Sequence, residues 1–186
     1  MPIEPRLLIL AVGMMAGAYM LGMLFWSIIR PERRVWPPDH PTAAIKFRVW
    51  FMTVLIFAAA FFLGVQDWNY FDWPASIRWG IGLPLIIIGN IIVWRGVLKI
   101  GMAATSGVAT GLITDGLYRW PRNPQYVADI VILIGWGILA ASLWTLPVLV
   151  VGLAVLLIAP LAEEPWLEEI YGRSYRDYKS KVRRYL

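Results

Sequence analysis

The chain has 186 residues, 59% hydrophobic and 16% charged, with a mean hydropathy of +0.63, which is too apolar for a soluble domain of this length. There is no cysteine and His40 is the only histidine, which excludes a disulfide framework, a thiolate or multi-histidine metal site and a Cys nucleophile. The net charge of +5 is read as topology and contact with anionic lipid headgroups, not as nucleic-acid binding.

Five apolar runs, near 7–29, 46–65, 77–98, 125–143 and 145–162, approach the roughly 20 residues a bilayer-crossing helix needs. The first is too long for the apolar core of a signal peptide and lacks its basic flank and cleavage site, so it reads as a retained span. Next comes "WPPDHP", a proline-stiffened cytoplasmic loop with a solvated His40, whose Trp36 and basic neighbours could guide an amphiphile inwards. Between the second and third runs, "QDWNYFDWP" is an acidic, aromatic outer loop, anchored at the interface by Trp68, Tyr70, Phe71 and Trp73. "GMAATSGVATGLITDG" follows the third run, either a linker or a loop whose backbone can approach a ligand closely. Only "SLW" separates the last two runs, with Pro147 just beyond, which predicts a helical hairpin turning near residues 141–147.

After Pro165, residues Leu167, Ile170, Tyr171, Tyr175, Tyr178 and Val182 recur at helical spacing among charges. They predict a C-terminal amphipathic helix on the cytoplasmic face, bent near Gly172. All lysines and arginines except Arg6 and Arg78 fall on one side of this arrangement, which places the N-terminus outside and the C-terminus in the cytoplasm. The expected fold is therefore all-α: a polytopic membrane protein of five transmembrane helices, forming a single domain over residues 1–186.

The polar features gather on the cytoplasmic side. In "RNPQY", Asn123 and Pro124 suit the N-cap and first position of the fourth helix, and that helix mouth also suits an anionic group. Asp129 lies about a turn and a half inside the span, where an acid must pair, stabilise the dipole or line a polar site. Glu163 and Glu164 oppose the dipole at the end of the fifth span and call for a cation; the hairpin makes Arg122 the natural partner, beside a cationic ligand. The alternative for both acids is plain solvation at the interface, and for the tail tyrosines simple interfacial packing.

The order "GLYRWPRNPQY", a hydrophobic hairpin with "GWG", then "AEEPWLEEIYGRSYRDYKSKVRRYL" resembles the membrane-embedded methyltransferases that include isoprenylcysteine carboxyl methyltransferases and phospholipid N-methyltransferases. The resemblance covers about the last 90 residues and lies in the combination of motifs. It implies S-adenosylmethionine as cofactor, bound within residues 95–186, and a lipophilic acceptor, either a lipid headgroup amine or an isoprenylcysteine-type carboxylate. It implies cofactor-binding roles for Tyr118, Arg122, Asn123, Pro124, Tyr126, Glu163, Glu164, Tyr175 and Tyr178. Asn123, where many carboxyl methyltransferases have His, and "EEPWLEEIY" lean towards the phospholipid type, whereas "YGRSYRDY" is similar to the carboxyl-methylating branch.

Methyl transfer from a sulfonium is an in-line displacement, which asks the protein to align, exclude water and hold charge. Arg122 with the helix mouth is assigned to the cofactor carboxylate, and Glu163 or Glu164 to its ammonium or ribose hydroxyls. Tyr118, Tyr126 and Trp136 are candidates to flank the sulfonium or adenine. Asp129 or Glu164 is the candidate catalytic base for an amine. Two other classes compete: an NADPH-dependent membrane reductase of the sterol and steroid type, whose pattern "PQYVAD" is similar to, and a structural protein that has kept the fold without catalysis.

Overall fold

In the computed structural model, which describes residues 4–40 and 42–185, the regular elements are all helical and no strand occurs among the described residues. Helix α1 (Pro5–Ile29) opens on Pro5, whose fixed φ and missing N–H suit a first helical turn. Helix α2 (Ala43–Gln66) is capped by the Thr42 hydroxyl, which accepts from the Ile45 N–H at 3.3 Å. Helix α3 enters through a single turn, Ala75–Ile77, passes through a π-helical segment, Arg78–Gly82, and continues as Leu83–Thr105, broken at Gly101, φ 83. Helices α4 (Pro124–Ala140) and α5 (Leu146–Lys181) complete the bundle.

Helices α1 and α2, the Ala75–Ala103 stretch of α3, and α5 are long and apolar enough to cross a membrane, whereas α4 is apolar but only 17 residues long. Leu24, Leu63, Leu133 and Val148 form a core shared by α1, α2, α4 and α5. The outward faces carry exposed Phe62, Ile88, Leu98 and Val150, an apolar exterior that water would not tolerate but lipid solvates.

Three features fix the end of the bundle at the α4–α5 turn. The α4–α5 turn begins at Ala141, in the left-handed region at φ 47, and is held by the loop after α2. The Asp67 carboxylate accepts from Ser142 Oγ at 2.9 Å and from the Trp144 N–H at 3.2 Å, while the Asn69 N–H donates to the Ala140 carbonyl at 2.8 Å. Arg78, 5% exposed, donates from Nε to the Leu139 carbonyl at 2.9 Å and sits 4.4 Å over the Trp68 ring. A cation belongs at this negative end of the α4 dipole, and the indole face supplies part of what water would have given.

Helices α3 and α4 meet backbone to backbone. A Cβ on Gly82 would stand 2.7 Å from the Leu139 nitrogen, and one on Gly135 would stand 2.8 Å from the Gly82 carbonyl oxygen. Small residues are what permits such an approach in a membrane, where packing replaces hydrophobic driving force.

The main departure from expectation is the length of α5. The amphipathic pattern after Pro165 does not start a new helix there; helical geometry runs through Pro160 and Pro165 to a break at Gly172, φ 54, where the sequence places a bend, and a second helical segment follows to Lys181. Buried Ala162, Glu164 and Trp166 flank Pro165, so packing on both sides holds the helix across the missing N–H.

Candidate functional site

Where α4 and α5 diverge at the opposite end of the hairpin, a cavity of about 600 Å³ opens between the helices. Its floor is apolar, built from Leu24, Phe57, Val93 and Leu156 on α1, α2, α3 and α5. Its mouth is polar and aromatic, formed by the start of α4, the middle of α5, the α1–α2 strap around Trp36, and the 106–118 segment. That segment is tied down by Ser106 Oγ, which accepts from Trp50 Nε1 at 3.2 Å, and by the Gly111 N–H, which donates to the Tyr171 hydroxyl at 3.0 Å. Its outer flank carries a Lys99–Asp115 ion pair of 2.9 Å, and the lysine beside it holds the Asp115 carboxyl below the usual carboxylate range.

Glu163 and Glu164 occupy different surroundings. Glu163 lines the cavity, and its Oε1 accepts both from Trp36 Nε1 at 2.7 Å and from the Tyr126 hydroxyl. Glu164 is 2% exposed and does not reach the cavity wall. Arg122 grips it in a fork, Nε to Oε1 at 2.9 Å and Nη2 to Oε2 at 3.1 Å, and Arg184 repeats the fork at 2.8 and 2.7 Å. This hydrogen bonding to Glu164 raises the Arg184 guanidinium above its ordinary value against the opposing effect of burial.

The Arg122 pairing is the one the hairpin implied, and all three guanidinium nitrogens donate within the fold. Nη1 donates to the Val182 carbonyl and the backbone N–H to the Arg183 carbonyl at 2.9 Å, so the tail locks onto the start of α4. Asn123 occupies the N-cap position of α4, yet its side chain caps nothing; Nδ2 turns to the Arg184 carbonyl at 3.2 Å and Glu164 Oε1 at 3.4 Å. The N–H groups of Gln125 and Tyr126 are thus left without a side-chain cap beside the cavity.

Tyr118, Arg122, Asn123, Pro124, Tyr126, Asp129, Glu163, Tyr175 and Tyr178 all border the cavity. The Tyr118 hydroxyl is buried with no partner among the described residues, while its carbonyl accepts from the Tyr178 hydroxyl. Burial, then the neighbouring Tyr178 and Glu163, pushes the Tyr118 phenol well up, so it stays a proton donor at physiological pH. Asp129 has no hydrogen bond or ion pair among the described residues and faces the same space. Trp136, a candidate from sequence, is elsewhere: it stacks on Phe61 at 5.1 Å and donates to the Ala60 carbonyl at 2.9 Å. Trp36, Tyr171 and Arg184 are not assigned to the site by the sequence; Trp36 carries a signal as an aromatic residue in a stiff loop and Tyr171 as one of the tail tyrosines, whereas Arg184 carries none. No cluster of three metal-ligating side chains occurs among the described residues.

The arrangement offers a free carboxylate oxygen on Glu163, an orphaned phenol, uncapped helix N–H groups and an unpaired acid above an apolar chamber. It can hold a small zwitterion at the mouth against an apolar molecule within the bundle.

A family model described as phospholipid methyltransferase matches residues 77–174. Among curated proteins, protein-S-isoprenylcysteine O-methyltransferase A of Arabidopsis thaliana is 29% identical over 112 residues, covering 54% of this chain and 55% of that protein. The chain thus spans about half the length of the curated relative it matches. No solved structure matches it. Both comparisons carry methyltransferase descriptions, so the reductase reading is not favoured.

Proposed function

Because the chain belongs to the phospholipid methyltransferase family, matched over residues 77–174 of 186, we propose that it is an S-adenosylmethionine-dependent enzyme that methylates a lipophilic acceptor in the membrane. The observation that carries this is the continuity of one cavity, polar at its mouth and apolar at its floor, in which a charged donor and a lipid can meet.

The residues present fit such a cofactor. The uncapped N–H groups at the start of α4 suit its carboxylate, a role moved there from Arg122, whose guanidinium is held by Glu164 and the tail. The free oxygen of Glu163 suits its ammonium or ribose hydroxyls, and the unpaired Tyr118 hydroxyl is a donor awaiting an acceptor. Tyr126, Tyr175 and Tyr178 complete an aromatic wall of the kind that attracts cations. When bound, S-adenosylmethionine supplies a methyl group on a sulfonium, ready for in-line displacement. Glu164 sits behind the wall as a clamp holding Arg122 and Arg184, which leaves Asp129 as the base.

Asp129 also favours one acceptor class. An acid that faces the chamber without a partner among the described residues suits a lipid amine, whose proton its carboxylate can take as the nitrogen gains its methyl. In this reading α4 completes a set of five spans, the N-terminus lies outside, and the cavity mouth and C-terminus face the cytoplasm, where 95–186 form the cofactor-binding part. A thermal-shift comparison on the purified chain tests the cofactor. S-adenosylhomocysteine is expected to raise the melting temperature and NADPH to leave it unchanged; stabilisation by NADPH alone contradicts the reading.

A further inference from the structure

The carboxylate offered to the cofactor does not hold its own orientation. Glu163 sits on α5 at the cavity wall, and both of its neighbouring donors, the Trp36 indole N–H and the Tyr126 hydroxyl, converge on the same oxygen, Oε1. Oε2 has no partner among the described residues. Two donors on one oxygen fix the plane of the group and leave the other oxygen for a ligand.

Trp36 lies outside the family-matched stretch, 127 residues before Glu163, on the strap between α1 and α2. The strap is pinned from several directions. Ser27 Oγ on α1 accepts from the Val35 and Trp36 backbone N–H groups at 3.0 and 3.1 Å, while donating to the Met23 carbonyl at 2.8 Å. Arg34 bridges Asp39 of the strap and Glu169 of α5. On the far side Gly107 packs against the indole so closely that a Cβ there would stand 3.1 Å from the ring. Trp36 is 6% exposed, and its ring has one polar atom, which is spent on Glu163.

We infer that Trp36 is a positioning residue for the cofactor site: the strap exists there to aim Glu163, so that a residue outside the family-matched stretch orients a carboxylate inside it. This rests on the cofactor reading above. A hydrogen bond to a charged group is worth enough that its loss should weaken S-adenosylhomocysteine binding about tenfold.

The test is a double-mutant cycle on the full chain in detergent micelles, reading the S-adenosylhomocysteine dissociation constant by titration calorimetry. Trp36→Phe keeps a large ring in the strap and removes only the donor. It should weaken binding about tenfold in the native background and leave the already weakened Glu163→Ala variant within about twofold. An equal loss in both backgrounds marks simple packing and overturns the inference, as does unchanged affinity in Trp36→Phe. If Trp36→Phe does not fold, Ser27→Ala, which unpins the strap and retains the indole, should show the same dependence on Glu163. Failure of the native chain to bind S-adenosylhomocysteine defeats the cofactor reading and this inference with it, whereas native binding without dependence on Glu163 defeats the inference alone.

Discussion

Glu163 and Glu164 are consecutive on α5, yet Glu163 opens onto the cavity under Trp36 and Tyr126, while Glu164 is enclosed behind it by Arg122 and Arg184. Adjacent helical positions point about 100° apart, so two identical side chains meet two environments. One has a free oxygen for a ligand, and the other joins α5, the start of α4 and the tail.

Neutralising each acid should therefore have a different effect. Glu164→Gln leaves Arg122 and Arg184 without their countercharge and should destabilise the fold by about 3 kcal/mol, seen as a lower thermal midpoint. Glu163→Gln should leave the midpoint nearly unchanged and weaken S-adenosylhomocysteine binding. Reversal of the two phenotypes would show that the roles have been exchanged.

Asp129→Asn replaces an acid within the bundle that has no partner among the described residues, so the midpoint should stay level or rise. Methyl transfer to an amine should fall by roughly a hundredfold or more, the usual scale of a lost general base, with S-adenosylhomocysteine affinity retained. Rates equal to those of the native chain would remove Asp129 from the mechanism.

Tyr118→Phe deletes a buried hydroxyl with no partner among the described residues. Stability should hold or improve slightly, because no hydrogen bond is broken, while calorimetry should show cofactor-product affinity falling about tenfold. A destabilised variant with unchanged affinity would assign the hydroxyl to the fold.

Gly135→Ala probes the contact between α3 and α4. The added methyl meets the Gly82 carbonyl oxygen and Leu85, which should lower stability by about 1–3 kcal/mol in thermal unfolding. A midpoint equal to that of the native chain would mean that the two helices can separate freely.

The sequence marks much of this architecture, and the gaps have physical causes. Apolar runs near 7–29 and 46–65 correspond to Pro5–Ile29 and Ala43–Gln66, because a bilayer imposes length and composition directly. The hairpin turn near 141–147 falls between Ala140 and Leu146 for the same reason. The extent of α5 was not legible, since Pro165 reads as a boundary and only packing carries the helix across it. The partnership of Arg122 with an acid followed from hairpin geometry, but which acid it chooses depends on the tail, where Arg184 supplies the second fork. Trp36 reaches Glu163 across 127 residues, a contact no local pattern encodes.

The most direct measurement is methyl transfer itself. The purified chain is incubated with S-adenosylmethionine carrying an isotopic methyl group and a total membrane lipid extract, and the products are read by mass spectrometry. The account predicts label on a lipid amine, lost in Asp129→Asn. Label confined to an added isoprenylcysteine carboxylate would contradict the acceptor, and no transfer to either acceptor would contradict the enzyme.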